Sequence, residues 1–132
     1  ANIGYSDLDI CTILDAKRGN FYFCIFKYIS GCPQPVSKYL LLGLDEIVSR
    51  IKRPTIFLGD GLLIIKDLLK KRLGRLVVFA DKGFWYPDPG QLGLLGYAKI
   101  KKEGFDDAGK FLPFYIYPKE CTITLANDKF RY

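Results

Sequence analysis

Three aspartates are the residues best placed to do chemistry. Asp15 ends a β-branched apolar run, Asp60 lies between two glycines after Thr55–Leu58, and Asp81 follows the apolar run from Leu76 to Ala80. If those runs are parallel strands of one open sheet, all three carboxylates fall at its carboxyl edge, where α/β sheets bind ligands. Gathered there they would hold one or two Mg²⁺ ions for phosphodiester cleavage, because that hard cation selects oxygen ligands. Each also has an ordinary structural role, Asp15 in a turn, Asp60 as a helix cap and Asp81 in a loop. No histidine is available to join them. Lys17 and Arg18 stand beside Asp15 as exposed cations, either solvated in a turn or able to touch RNA or a partner protein. The candidate interaction rim is therefore Asp15, Lys17, Arg18, Asp60 and Asp81, with no residue assigned a catalytic, cofactor or metal role.

The elements that must position this rim begin with the stretch from Ile10 to Tyr28, which reads as two strands joined at Lys17-Arg18-Gly19-Asn20, where the glycine can take positive φ. In the second strand Phe21, Phe23 and Ile25 alternate with Tyr22, Cys24, Phe26 and Tyr28. Apolar groups on both faces require cover on both sides, and helices supply it. Ser30 to Pro35 reads as a loop, since its prolines cannot donate to a ladder. A third strand is expected from Val36 to Leu42 and a helix from Leu44 to Ile51, with Asp45 and Glu46 at its positive end. Thr55–Leu58 is a strand, and Leu62 to Leu73 a helix capped by Asp60 and ended by Gly74. Spacing places Ile65, Leu68, Leu69 and Leu73 on the buried face of that helix and Lys66, Lys70, Lys71 and Arg72 mainly outside. A strand from Leu76 to Ala80 follows. Asp88-Pro89 then opens a helix running to Gly104, whose Gly93, Gly96 and Ala98 would let it lie close on the sheet. Phe84-Trp85-Tyr86, just before it, is expected to fold down as a lid over the core. Leu112 to Pro118 is an extended apolar piece along the surface or an edge.

The order β-β-β-α-β-α-β-α, a meander followed by helix-linked parallel strands, is the plan of a ribonuclease H-like or actin-like half-domain, an α/β fold with a mixed sheet and helices on both faces. On that plan the three-aspartate reading becomes a Mg-dependent nuclease of the ribonuclease H-like class. Actin-like ATPases admit phosphates at a glycine-rich first hairpin. Here the hairpin has one glycine and bulky neighbours, so the lobe is expected not to bind nucleotide.

The chain has 132 residues, 49% of them hydrophobic, enough for one domain with a real core and too few for two. Its formal charge of +6 would favour an anionic partner such as tRNA, and would equally keep a domain dispersed. The basic helices lack the interleaved aromatics that stack bases. Cys11, Cys24, Cys32 and Cys121 show no metal-ligand spacing, so reduced thiols in a cytosolic protein are expected. No apolar run approaches the roughly 20 residues of a membrane span, and no leader opens the chain, so neither a membrane segment nor export is expected.

Leu14-Asp15-Ala16-Lys17-Arg18-Gly19-x-x-Tyr22, then Phe57-Leu58-Gly59-Asp60-Gly61, then a proline-started helix, then Leu112-Pro113-Phe114-Tyr115-Ile116 resembles the carboxy-terminal half of the bacterial TsaB family, also called YeaZ. Those proteins carry D-A-R-x-G-x-x-Y, V-G-x-G and P-x-Y-L-R in the same order. The likeness runs from about Ile10 to Tyr117. Lys17-Arg18 replaces arginine and a variable residue, and Tyr117 replaces the late arginine. The resemblance implies a cytoplasmic, non-catalytic actin-like lobe in the biosynthesis of threonylcarbamoyladenosine in tRNA. It implies support of a TsaD-like catalytic subunit, with a TsaE-like ATPase joining, mainly through the family's amino-terminal lobe, with tRNA touched indirectly, a homodimer an option and no membrane involved. No catalytic residue or cofactor is carried over. The absence of methionine and the start at Ala1 fit either an intact amino terminus after methionine removal or an excised domain. The resemblance, which lacks the family's amino-terminal lobe, favours a single lobe, residues 1–132, of a two-lobe protein, with 118–132 as a surface tail.

Overall fold

The computed structural model describes residues 8–110 and residue 116. The lead-in before residue 8, most of the Leu112 to Pro118 piece, Cys121 and the tail 118–132 lie outside the described residues.

The expected hairpin is the centre of the sheet. β1 (Asp9–Asp15) and β2 (Asn20–Ile29) pair antiparallel from Ile10 opposite Phe26 to Asp15 opposite Phe21. Their turn closes with the Asn20 amide donating to the Lys17 carbonyl at 3.1 Å. Gly19 takes positive φ as expected, and Lys17 and Arg18 join it at φ 66° and 56°. The left-handed region costs a residue with a Cβ roughly 1–2 kcal/mol. Asp15 holds Lys17 there, accepting its amide at 2.8 Å on Oδ1 and its ammonium on Oδ2.

The reading of residues 30–42 needs correction. The segment expected to be a loop contains β3 (Cys32–Pro35), and the expected strand from Val36 is shortened to β4 (Leu40–Gly43). Both pair antiparallel with β2, on the same edge at different heights. Pro33 and Pro35 are two residues apart, so both turn their donorless nitrogens to one side. That side is the outer one, since Val36, of opposite parity, donates inward to the Ile25 carbonyl at 2.8 Å. Ser37 Oγ accepts the Ile25 amide at 2.8 Å, completing β2 between the two short strands.

α1 (Leu44–Arg50) leads into β5 (Thr55–Leu58), which lies parallel to β1, and α2 (Leu62–Leu73) leads through a 3-10 turn at Gly74–Leu76 into β6 (Val77–Phe79), parallel to β5. The sheet order is β3-β2-β1-β5-β6. The predicted succession of elements stands, with β3 added.

One face of the sheet supplies Cys11, Ile13, Phe21, Phe23, Phe57 and Val77, and α1 and α2 close over it with Ile47, Leu62, Ile65 and Leu69, all buried. Leu62, Ile65 and Leu69 follow the i, i+3, i+7 spacing of a helix stripe. Leu68, expected among them, is about half exposed, because it lies one step around the helix from that stripe. On the opposite face Ile10, Cys24 and Ile56 are buried. Among the described residues Cys11, Cys24 and Cys32 are free thiols, the first two buried, and burial pushes the Cys11 thiol well up.

α3 (Pro89–Glu103) starts as expected, with Asp88 Oδ1 accepting the Gln91 amide at 2.9 Å and proline in the first turn. Its packing does not follow the expectation. No residue of α3 is buried, and a Cβ placed on Gly93 or Gly96 would meet nothing within 4 Å.

Candidate functional site

The carboxyl edge of β1, β5 and β6 is where the candidate residues were expected, and the parallel pairing brings Asp15 and Asp60 together there. Asp60 Oδ1 accepts the Asp15 amide at 3.0 Å, linking the loop after β5 to the end of β1. Asp60 is therefore a strap between strands. It does not cap α2, whose first residue is preceded by Gly61 with no side-chain cap.

The glycines around Asp60 explain how close that loop comes. At Gly59, with φ 117°, a Cβ would sit 2.1 Å from the Ile13 carbonyl oxygen; at Gly61 it would sit 2.8 Å from Ile13 Cγ2 and 3.0 Å from a Phe21 ring carbon. The Gly61 amide donates to the Ile13 carbonyl at 3.1 Å. The Gly-Asp-Gly step is thus a backbone clasp on β1. Its amide at Gly61 is committed to protein, and its closest approach is to the strand, where a ligand's phosphate would need open space.

The rim's electrostatics are local. Asp15 is held below its ordinary carboxylate value by the hydrogen bond from the Lys17 side chain first, then by the Lys17 amide. Lys17 is raised by the same contact, and the Asp60 charge adds to it. Arg18 is exposed at the turn. Asp81 is exposed as well, and its carbonyl accepts the Phe84 amide at 2.9 Å in the 3-10 turn Lys82–Phe84. Among the described residues no three His, Cys, Asp or Glu side chains converge to hold a metal ion. Asp15, Asp60 and Asp81 share an edge without forming a metal-binding cluster.

Phe84-Trp85-Tyr86 divides. Trp85 alone folds down as expected, buried with its indole N–H donating to the Ala80 carbonyl at 2.8 Å. Phe84 and Tyr86 stay exposed and rim an open cavity of about 510 Å³ with Thr12, Leu14, Leu58 and Gln91. Lys66, expected mainly on the outer surface, lays its ammonium over Phe79 and Trp85, 5.2 and 5.7 Å from the ring centroids, a cation–π position.

Sequence reasoning missed the pairing of Asp9 with Arg53, where a buried carboxylate accepts two hydrogen bonds from one guanidinium at the opposite, amino edge of the sheet. An acidic residue immediately before an apolar strand was the available signal.

This sheet, with its meander, its two helix-linked parallel additions and its third helix, is the actin-like, ribonuclease H-like α/β fold. A solved structure described as an uncharacterized protein with similarity to peptidase YEAZ, from Pseudomonas aeruginosa, superposes with a TM-score of 0.59 at 18% identity, over 88% of this chain and 51% of that one. In sequence the chain resembles the tRNA threonylcarbamoyladenosine biosynthesis protein TsaB of Bacillus subtilis (strain 168), 29% identical over 119 residues, 88% of this chain and 50% of that protein. The chain spans about half the length of both proteins. No family model matches it. The likeness to the TsaB/YeaZ family is weak to moderate in sequence and extends to the fold. Among the described residues no helix is long and apolar enough to cross a membrane.

Proposed function

We propose that this chain is one actin-like lobe of a TsaB-type protein, and that it serves as a non-catalytic support for a TsaD-like catalytic subunit in threonylcarbamoylation of tRNA adenosine. The sequence likeness to TsaB over 119 residues supports the family part of this reading. The observation that carries the non-catalytic part is the clasp at Gly59 and Gly61, which closes backbone on backbone at the ligand-binding edge of the sheet. Lys17 and Asp15 are paired with one another at the adjoining hairpin. Contacts with TsaD-like and TsaE-like partners then fall mainly to the other lobe, and tRNA is reached through the assembly.

A pull-down with the TsaD-like protein of the same cell tests this, comparing the 132-residue chain with the full gene product. Binding by the longer protein alone is the expected result. If neither binds, the likeness is one of fold only.

A further inference from the structure

Resting on the reading of this chain as one lobe, we propose that α3 is the seam along which it meets a second lobe of the same polypeptide. From Leu92 to Ala98 the helix carries seven consecutive residues without a charge, and Leu92, Leu94, Leu95 and Tyr97 are each more than 60% exposed. A helix apolar on all sides belongs inside a core, and one face of contact cannot cover it. The lobe's own sheet buries none of its residues.

Glycine content points the same way. Gly93 and Gly96 sit in the helix interior, where each costs about 1 kcal/mol relative to alanine. Neither has an atom within 4 Å of its Cβ position, so nothing in the described lobe uses the space they leave. Small residues at this spacing let another backbone approach closely. Lys99, Lys101 and Lys102 gather toward the carboxyl end, so the uncharged surface is continuous over the first two-thirds of the helix.

The occupant follows from length. This chain aligns over 88% of itself with half of each relative, so each relative contains about as many residues again. A second lobe of similar size is therefore the partner that a full-length protein of this kind supplies in cis. A helix of 15 residues is about 22 Å long, enough to lie across such a lobe.

Amide hydrogen exchange over residues 91–100 tests the proposal, measured in the 132-residue chain and in the longer gene product containing it. Exchange at least tenfold slower in the longer protein is expected, with β1 and β2 unchanged. Leu92→Asp combined with Leu95→Asp in the longer protein should restore the fast rates while β1 and β2 stay protected, which separates loss of the seam from unfolding. Equal rates in the two proteins, or a coding sequence with no second lobe, overturn the proposal. So does slow exchange in the short chain alone, which would assign the surface to a second copy if it rises with concentration and to residues beyond Lys110 if it does not. Protection of α3 without capture of the TsaD-like protein keeps the seam and removes the functional reading; capture without protection does the reverse.

Discussion

α2 and α3 both draw heavily on leucine, isoleucine and lysine, yet one is built into the core and the other buries nothing. In α2 the glycines stand outside, at its start, where Gly59 and Gly61 press against Ile13, and the interior is free of them. Its apolar residues at 62, 65 and 69 form a stripe that the sheet covers. In α3 the glycines are inside the helix and open to space, and the apolar residues run around the whole circumference. The stripe of α2 finds its cover on the sheet, although Leu63, Ile64 and Leu68 stay exposed, whereas among the described residues nothing covers the apolar side chains of α3.

The sharpest way to break this contrast is at the clasp. Gly59→Ala adds a Cβ within 2.1 Å of a backbone oxygen at a φ of 117°, and strain plus overpacking should destabilise the chain by about 4 kcal/mol in urea titrations. Gly96→Ala, which meets nothing, should instead leave stability unchanged or raise the helix content seen by circular dichroism, by about 0.5–1 kcal/mol of helix stability. Leucine truncations come next. Leu69→Ala in α2 should cost about 2–5 kcal/mol, because it empties a fully buried site, and Leu95→Ala in α3 should fall within about 0.5 kcal/mol of the parent chain. A large loss at Leu95 would mean that α3 is packed in the isolated lobe.

The smallest expected effect concerns pH at the turn beside the clasp. The Asp15 carboxyl is lowered in the folded chain, so its contribution is present above the unfolded value of about 3.8 and lost as pH falls through the lower folded value. Lys17 is raised, so its contribution is present below about 10.5 and lost as pH rises through the higher folded value. Asp15→Asn should therefore flatten the acid limb of a stability–pH curve followed by urea titration.

The difference between the two helices also marks what could be read from the chain alone. Signals that act within a few residues were legible: the hairpin, the extent of Leu62–Leu73, the Asp88 cap, and the convergence of Asp15 and Asp60 on one edge through parallel strands. Features that depend on a distant neighbour were not. Asp60 looked like a cap because it precedes a helix, and the Asp15 amide, 45 residues away in sequence, claimed it instead. Gly93 and Gly96 looked like close-packing residues, and nothing in their own helix says which surface they would pack against. Prolines at 33 and 35 looked like strand breakers, since local chemistry does not specify which side of a strand will be paired.

That last feature bears on how the molecule can be approached. A bare sheet edge is a template on which another chain can add a strand, and proteins blunt it to avoid clumping. At β3 the two prolines leave the outward edge without amides at alternate positions, and at the far end β6 is three residues long. Among the described residues, strand addition is discouraged at β3 and at β6, the two ends of the sheet order.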